Sequence, residues 1–255
     1  MSEINKAPET AAVEKPETPA EGKQGKKDKK KEKRTVGQEI LSWILTILVA
    51  VVAALVIRSV IFEPVRVDGE SMDDTLANGE IMFVSKFDYS STWLCLPWQD
   101  NAKKETAPRF TIGGNPWRFD VVICRYPGRG DTNFVKRVIG LPGDTIRLED
   151  GYLYIKADGE EEEVRYEEPY INDEYRVGYL NSFMPYYVPK KGDTVNGETV
   201  EQDMYFVMGD HRNNSNDSRS VGPISRDMII GHVRQVVFPF SQWRGVQNGL
   251  DVKAE

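Results

Sequence analysis

Between Ile40 and Ile57 the chain runs for eighteen residues without a charge, and only Ser42 and Thr46 are distinctly polar. Eighteen helical residues at about 1.5 Å each cover about 27 Å, close to the hydrocarbon thickness of a bilayer. Trp43 lies near one end, as interfacial aromatics do, and Arg58 near the other, where its side chain can snorkel to the headgroups. A core helix rarely lacks charge over such a length. A cleaved signal peptide has a shorter apolar part and does not follow a long polar leader. The pattern therefore predicts a retained transmembrane helix over residues 40–58.

Beyond it the periodicity changes. Short runs rich in Val, Ile, Tyr and Phe follow: Val65–Val67, Ile81–Val84, Asp120–Cys124, Phe134–Ile139, Thr145–Leu148, Tyr152–Ile155, Met204–Met208 and His232–Phe238. Turn signals such as Leu141-Pro142-Gly143-Asp144 and Asp150-Gly151 separate them. Short, closely spaced strands of this kind predict a mainly β domain, an antiparallel barrel- or sandwich-like body. Two stretches, 90–117 and 157–201, lack the pattern and read as insertions or loops, and there is no internal repeat.

Charge orients the chain. Residues 1–34 hold ten Lys/Arg against seven Asp/Glu, whereas the whole chain holds 33 against 40, so the remainder is strongly acidic. An acidic body excludes nucleic acid as a partner, because phosphate neutralisation needs a basic face. The first segment, rich in Glu, Lys, Pro and Ala, cannot bury enough apolar surface to offset chain entropy. It reads as a disordered tail over 1–39 ending in a basic block at 26–34. That block precedes the helix and stays cytoplasmic by the positive-inside rule, which sends the body outside the plasma membrane. The expected organisation is thus tail 1–39, transmembrane helix 40–58, extracytoplasmic catalytic domain 59–240 and C-terminal tail 241–255. Two cysteines, Cys95 and Cys124, make no disulfide framework and lack zinc spacing. Cys124 reads as a buried strand thiol and Cys95 as a loop thiol, with a single pairing left open.

Three segments carry candidate chemistry. Glu63-Pro64-Val65-Arg66-Val67-Asp68-Gly69-Glu70-Ser71-Met72-Asp73-Asp74-Thr75-Leu76 is the first, and Phe134-Val135-Lys136-Arg137-Val138-Ile139-Gly140-Leu141-Pro142-Gly143-Asp144 the second. The third runs from Met208-Gly209-Asp210-His211-Arg212 through Ser215, Asp217 and Arg219 to Gly222. In this order, after one apolar helix, they resemble the boxes of bacterial type I signal peptidases, and Arg118-Phe119-Asp120-Val121-Val122 resembles the remaining box. The likeness covers roughly residues 40–240.

The resemblance implies a serine endopeptidase that cleaves signal peptides from exported preproteins through an acyl-enzyme, without metal or organic cofactor. Its partners would be preproteins with small residues at the −1 and −3 positions, and the lipid bilayer. Ser71 would be the nucleophile and Lys136 its base. A serine hydroxyl needs such a base at neutral pH. Lysine becomes one when apolar neighbours strip its hydration, here Phe134, Val135, Val138 and Ile139. Arginine cannot, because it stays protonated. The two histidines, His211 and His232, come with no triad signature. His211 stands where the family commonly has asparagine and reads as a loop residue.

By matching positions, Ser215 would orient the lysine amine, and Asp217 and Arg219 would form a supporting ion pair, with Asp210 and Arg212 as further structural charges. Val65, Val67, Gly69, Met72, Leu76 and Val135 would line shallow substrate pockets. Gly69 replaces a serine that supplies an oxyanion donor in some members, and Asp74 replaces a proline. A carboxylate at 74 near the dyad would favour charged Lys136. That departure leaves open a membrane-tethered, non-catalytic homologue that binds signal segments. A Ser/Lys autoprotease of the repressor kind shares the dyad, but the chain has no basic helical DNA-binding segment.

Overall fold

The computed structural model describes residues 35–56, 62–92, 110–130, 132–178, 182–249 and 253–254. Most of the segment read as a disordered tail, 1–34, and Cys95 lie outside them. Helix α1 spans Val36–Val56, beginning four residues before the expected boundary. No residue of Val36–Ala54 is buried within the protein, and the helix is long and apolar enough to cross a membrane.

The body is antiparallel β, as its alternating runs predict, and all eight predicted strands are present within a few residues of their expected ends. The large, curled sheet runs in the order β1 (Phe62–Arg66), β2 (Ile81–Ser85), β15 (Ile229–Phe238), β5 (Val121–Cys124), β6 (Phe134–Gly140), β13 (Met204–Met208) and β14 (Ile224–Ser225). β16 (Arg244–Gly245) pairs beside β15. The register of β15 shifts against both β2 and β5. Such bulges bend a strand and increase its twist. A smaller sheet runs β10 (Phe183–Tyr187), β7 (Thr145–Glu149), β8 (Tyr152–Lys156), β9 (Val164–Glu167) and β17 (Lys253–Ala254). Two ribbons complete the set, β3 (Tyr89–Thr92) with β4 (Phe110–Gly113) and β11 (Thr194–Val195) with β12 (Glu198–Thr199).

β5 has no polar face because both of its sides are covered. Val121 and Ile123 join a cluster with Met72, Leu76, Met82 and Val236. Val122 and Cys124 join another with Tyr126, Tyr205 and Val207. A continuous apolar run is what a doubly covered strand requires. In β7 and β8 only Ile146, Leu148, Leu153 and Ile155 turn inward, where they pack with Phe119 and Phe206 between the two sheets. Cys124 is a buried free thiol, pushed up to about 12 chiefly by burial.

Two sequence expectations change. The segment 157–201 is no detached insertion: β9 and β10 complete the small sheet, and Tyr170, Ile171 and Val188 enter its core. Residues 241–255, read as a tail, hold β16 and β17 and lace the body together. Arg244 grips buried Glu80 through both guanidinium ends (2.6 and 2.8 Å) and donates to Thr75 O (2.9 Å). Gln247 O accepts Arg137 Nη1 (2.7 Å), and Asn248 Oδ1 accepts the Val121 N–H (2.8 Å). Only Val246 advertises this packing in sequence, because the rest acts through backbone, amide and guanidinium groups.

Candidate active site

The turn that carries Ser71 follows β1 and is fixed at both ends. Val67 N–H donates to Glu80 O (2.8 Å) and Gly79 N–H to Val67 O (2.9 Å). Gly69 takes φ +112°, a conformation that side chains resist. The chain then winds tightly, with Asp73 N–H on Glu70 O (3.0 Å), and Thr75 and Leu76 N–H on Met72 O (3.0 and 2.7 Å). Met72 and Leu76 are buried and anchor the turn in the core.

Lys136 lies in β6, opposite Val122 of β5 and one residue from the β13 register partners. Covered strands on both sides leave it 2% exposed. Its Nζ is 2.6 Å from Ser71 Oγ and donates to Val135 O at 3.0 Å. Burial is the main cause that holds the amine below the ordinary lysine range. Cys124, Asp217 and Asp210 oppose that shift, and Arg219 assists it. Among the described residues, Lys136 is the titratable side chain within hydrogen-bond distance of Ser71 Oγ. The His211 ring engages Glu70 O instead, and His232 packs against Asp88 and Tyr89.

The third segment wraps Ser71 and Lys136 from behind. A Cβ on Gly209 would meet Ser215 Oγ at 2.3 Å and Ser71 O at 2.4 Å, so only glycine allows this approach. Asp217 accepts the Gly209 N–H (3.0 Å) and two bonds from Arg219 (2.9 and 2.8 Å), and it caps helix α2 (Ser218–Val221). Burial alone would raise this carboxyl, but Arg219 and the Gly209 amide outweigh it and hold it below the usual carboxylate value. The Ser215 hydroxyl is buried and has no partner of good hydrogen-bond geometry, although it lies near enough to Asp217 to favour its charge. The expected bond from Ser215 to the lysine amine is therefore not made in this arrangement.

Lys136 and Arg137 point to opposite faces of β6, and Arg137 organises the second face. Its Nε and Nη2 donate to Asp210 (2.9 and 2.7 Å), Nη1 to Phe119 O (2.8 Å), and its guanidinium lies 3.7 Å from the Tyr170 ring centroid. Thr75 Oγ1 donates to the same Asp210 carboxylate (2.5 Å), tying the Ser71 turn to the Lys136 strand. Arg212 forms a two-pronged pair with buried Glu168, which also accepts the Tyr170 hydroxyl (2.6 Å). Sequence reasoning missed Thr75, Arg137, Glu168, Tyr170 and Arg244. The one visible signal was an arginine placed among the apolar residues of β6.

Of the six expected pocket residues, Val65, Val67, Gly69, Met72 and Val135 line one enclosed cavity of about 180 Å³ together with Ser71, Lys136 and Ile123. Leu76 does not; it is fully buried in the core, because the turn points it inward with Met82 and Val236. A more open groove of about 400 Å³ adjoins Ser71 and Lys136 and is lined by Asp68, Glu70, Asn78, Asn214 and Asn216. Asp74 also departs from expectation. It has φ +74°, which proline cannot adopt, and it lines a separate cavity of about 580 Å³ with residues 169–172 and 244–247. The carboxylates that bear most on Lys136 are Asp217 and Asp210.

The model of the family described as signal peptidase, peptidase S26, matches residues 40–238. Signal peptidase I P of Bacillus subtilis subsp. natto is 35% identical over 212 residues, spanning 80% of this chain and 92% of its own. Signal peptidase I S of Bacillus subtilis (strain 168) is 33% identical over 208 residues, 81% of this chain and 94% of its own. Signal peptidase IB of Staphylococcus aureus (strain COL) is 30% identical over 221 residues, with coverage of 81% and 94%. The matched span takes in both the Ser71 turn and the Lys136 strand, and with such coverage of whole relatives the chain belongs to the signal peptidase family, peptidase S26.

Proposed function

We propose that the chain is a membrane-tethered signal peptidase that uses Ser71 as nucleophile and Lys136 as general base. The observation that carries this is the 2.6 Å approach of a buried lysine amine to a serine hydroxyl. Burial lowers the cost of holding that amine neutral, and a neutral amine accepts the Ser71 proton as Oγ attacks the scissile carbonyl. The tetrahedral oxyanion takes the Ser71 N–H as one donor. Asn78 is the best second donor: its Oδ1 accepts the Gly69 N–H (3.3 Å), and its amide lines the groove beside Ser71. Collapse breaks the C–N bond, and the Lys136 ammonium protonates the departing amine. Water then attacks the acyl-enzyme with Lys136 again as base, which returns the proton to Ser71.

The partly enclosed cavity beside Ser71 has room for more than one small side chain, in keeping with alanine-like residues at both −1 and −3. Among the described residues β1 ends the sheet order, so an extended peptide can pair with its outer edge while alternate side chains enter the cavity. Helix α1 would hold the body where signal segments leave the bilayer, with the basic block inside. Ser71→Ala and Lys136→Ala should each abolish cleavage of a labelled preprotein while leaving the circular dichroism of the body unchanged. Lys136→Arg should fail as well. Turnover by either alanine variant would remove the dyad. An inert parent would leave the non-catalytic homologue.

A further inference from the structure

His211 is a junction rather than a plain loop residue. Its backbone N–H donates to Ser71 O (3.2 Å), and its ring Nδ1 lies 3.1 Å from Glu70 O. A carbonyl accepts only from a protonated nitrogen, so Nδ1 carries a proton here. Glu70 O already accepts the Asp73 N–H that closes the turn, and its second lone pair goes to the imidazole. Asp73 Oδ2 stands 3.7 Å from the same ring nitrogen. The imidazole face is covered by Tyr175, with centroids 3.7 Å apart and planes 18° from parallel.

Tyr175 comes from the 3-10 turn Asp173–Arg176, which is itself held firmly. Asn172 Oδ1 caps it by accepting the Glu174 N–H, and Arg176 donates to Gly151 O and Glu168 O (3.1 and 3.0 Å). A second tie runs from Asn213 Nδ2 to Glu174 O (3.3 Å). The segment 168–176 thus grips the 209–214 loop at Arg212, His211 and Asn213, while Gly209 presses that loop against the Ser71 carbonyl.

We propose that His211, clamped by Tyr175, is a positioning residue that fixes the Glu70 and Ser71 carbonyls and so keeps Ser71 Oγ on the Lys136 amine. The proposal rests on the reading of Ser71 and Lys136 as the dyad. Among the described residues, the start of the turn is otherwise held from outside by the Gly69–Asn78 bond (3.3 Å) and by Asn214 Nδ2 on Glu70 Oε2 (3.4 Å). A shift of about 1 Å in a reacting group costs about 10²-fold in rate. Losing the clamp should therefore lower kcat by about ten- to a hundred-fold with KM unchanged. Loosening the turn also admits water to Lys136. Its pKa then rises, and the rising limb of rate against pH moves to higher pH.

The test compares His211→Phe, which keeps the stacked ring and the backbone N–H, with Tyr175→Ala, which keeps the donor. Tyr175→Phe, which keeps the stacked ring, is the conservative partner. Cleavage of a preprotein with alanine at −1 and −3 is followed by the full-length, detergent-solubilised protein below its melting temperature, alongside amide exchange of the 70–76 peptide by mass spectrometry. The expected result is a fallen kcat, an alkaline shift of the limb and faster exchange in His211→Phe and Tyr175→Ala, with near-parental values in Tyr175→Phe. Parental kcat and exchange in both His211→Phe and Tyr175→Ala would overturn the proposal, as would a rise in KM alone. An inert parent would refute the peptidase reading instead, and the exchange measurement would still decide the clamp.

Discussion

Replacing Asp210 by asparagine separates the two tasks of the network behind the dyad. The carboxylate is fully buried and accepts Arg137 Nε (2.9 Å), Arg137 Nη2 (2.7 Å) and Thr75 Oγ1 (2.5 Å). Asparagine keeps one acceptor and turns an amide donor toward groups that also donate. Arg137 is wholly buried, so its charge would be left uncompensated. Removing one partner of a buried ion pair costs about 3–5 kcal/mol, a large part of the ~5–15 kcal/mol that stabilises a folded domain. At about 2–4 °C per kcal/mol for a body of this size, Tm should fall by about 6–20 °C. Thermal unfolding followed by circular dichroism measures this directly. The double variant Arg137→Met with Asp210→Leu should recover part of the loss, because no charge is then stranded although Thr75 Oγ1 and the Phe119 and Gln247 carbonyls lose a partner. Activity carries the second readout. Asp210 favours the ammonium form of Lys136, so its neutralisation lets the amine deprotonate at lower pH and moves the rising limb of kcat/KM toward acid. A Tm within about 2 °C of the parent would refute the stability argument. An unmoved limb would show that Asp210 exerts no field at the amine.

Lys136→Met should be inactive yet more stable than the parent. The folded lysine pKa lies below its unfolded value, so the unfolded chain binds more protons and stability rises with pH between the two. The gain in Tm should therefore be full below the folded pKa and fade as pH nears the ordinary lysine range, and a gain that ignores pH would contradict the assignment. Asn78→Ala should lower kcat by about 10²–10³-fold at constant KM if its amide serves the oxyanion, and a change confined to KM would make it a substrate contact. A stop after Trp243 takes Arg244 from Glu80, Asn248 from the Val121 N–H and the Gln247 carbonyl from one Arg137 Nη1 proton, at about 1–3 kcal/mol each, and should leave a protease-sensitive body. A stop after Gly249 removes only β17 and should be tolerated; equal sensitivity of the two would show that the 244–248 contacts are dispensable.

Local pattern alone determined much of this protein. Eighteen uncharged residues specify a long apolar helix, alternation specifies β7 and β8, and the unbroken run Val121–Cys124 specifies a strand covered on both faces. Each of these depends on neighbours within one element, so the periodicity of the chain records it. The three polar segments, through their resemblance to the signal peptidase boxes, also pointed to Ser71 and Lys136, the two side chains that the fold brings within 2.6 Å. Other features only the tertiary structure decided. Leu76 reads as a pocket residue in its segment, yet the direction of a turn, which periodicity does not encode, put it in the core. Asp74 reads as a charge beside the dyad, but a positive φ turned it into a different cavity. Residues 157–201 and 241–255 read as loop and tail because their contributions are long-range. Glu168 meets Arg212 across 44 positions, Thr75 meets Asp210 across 135, and Arg244 meets Glu80 across 164. Such pairs leave no mark on local hydrophobic pattern, since each partner alone is an ordinary polar residue and only chain folding strips the water that makes their pairing obligatory.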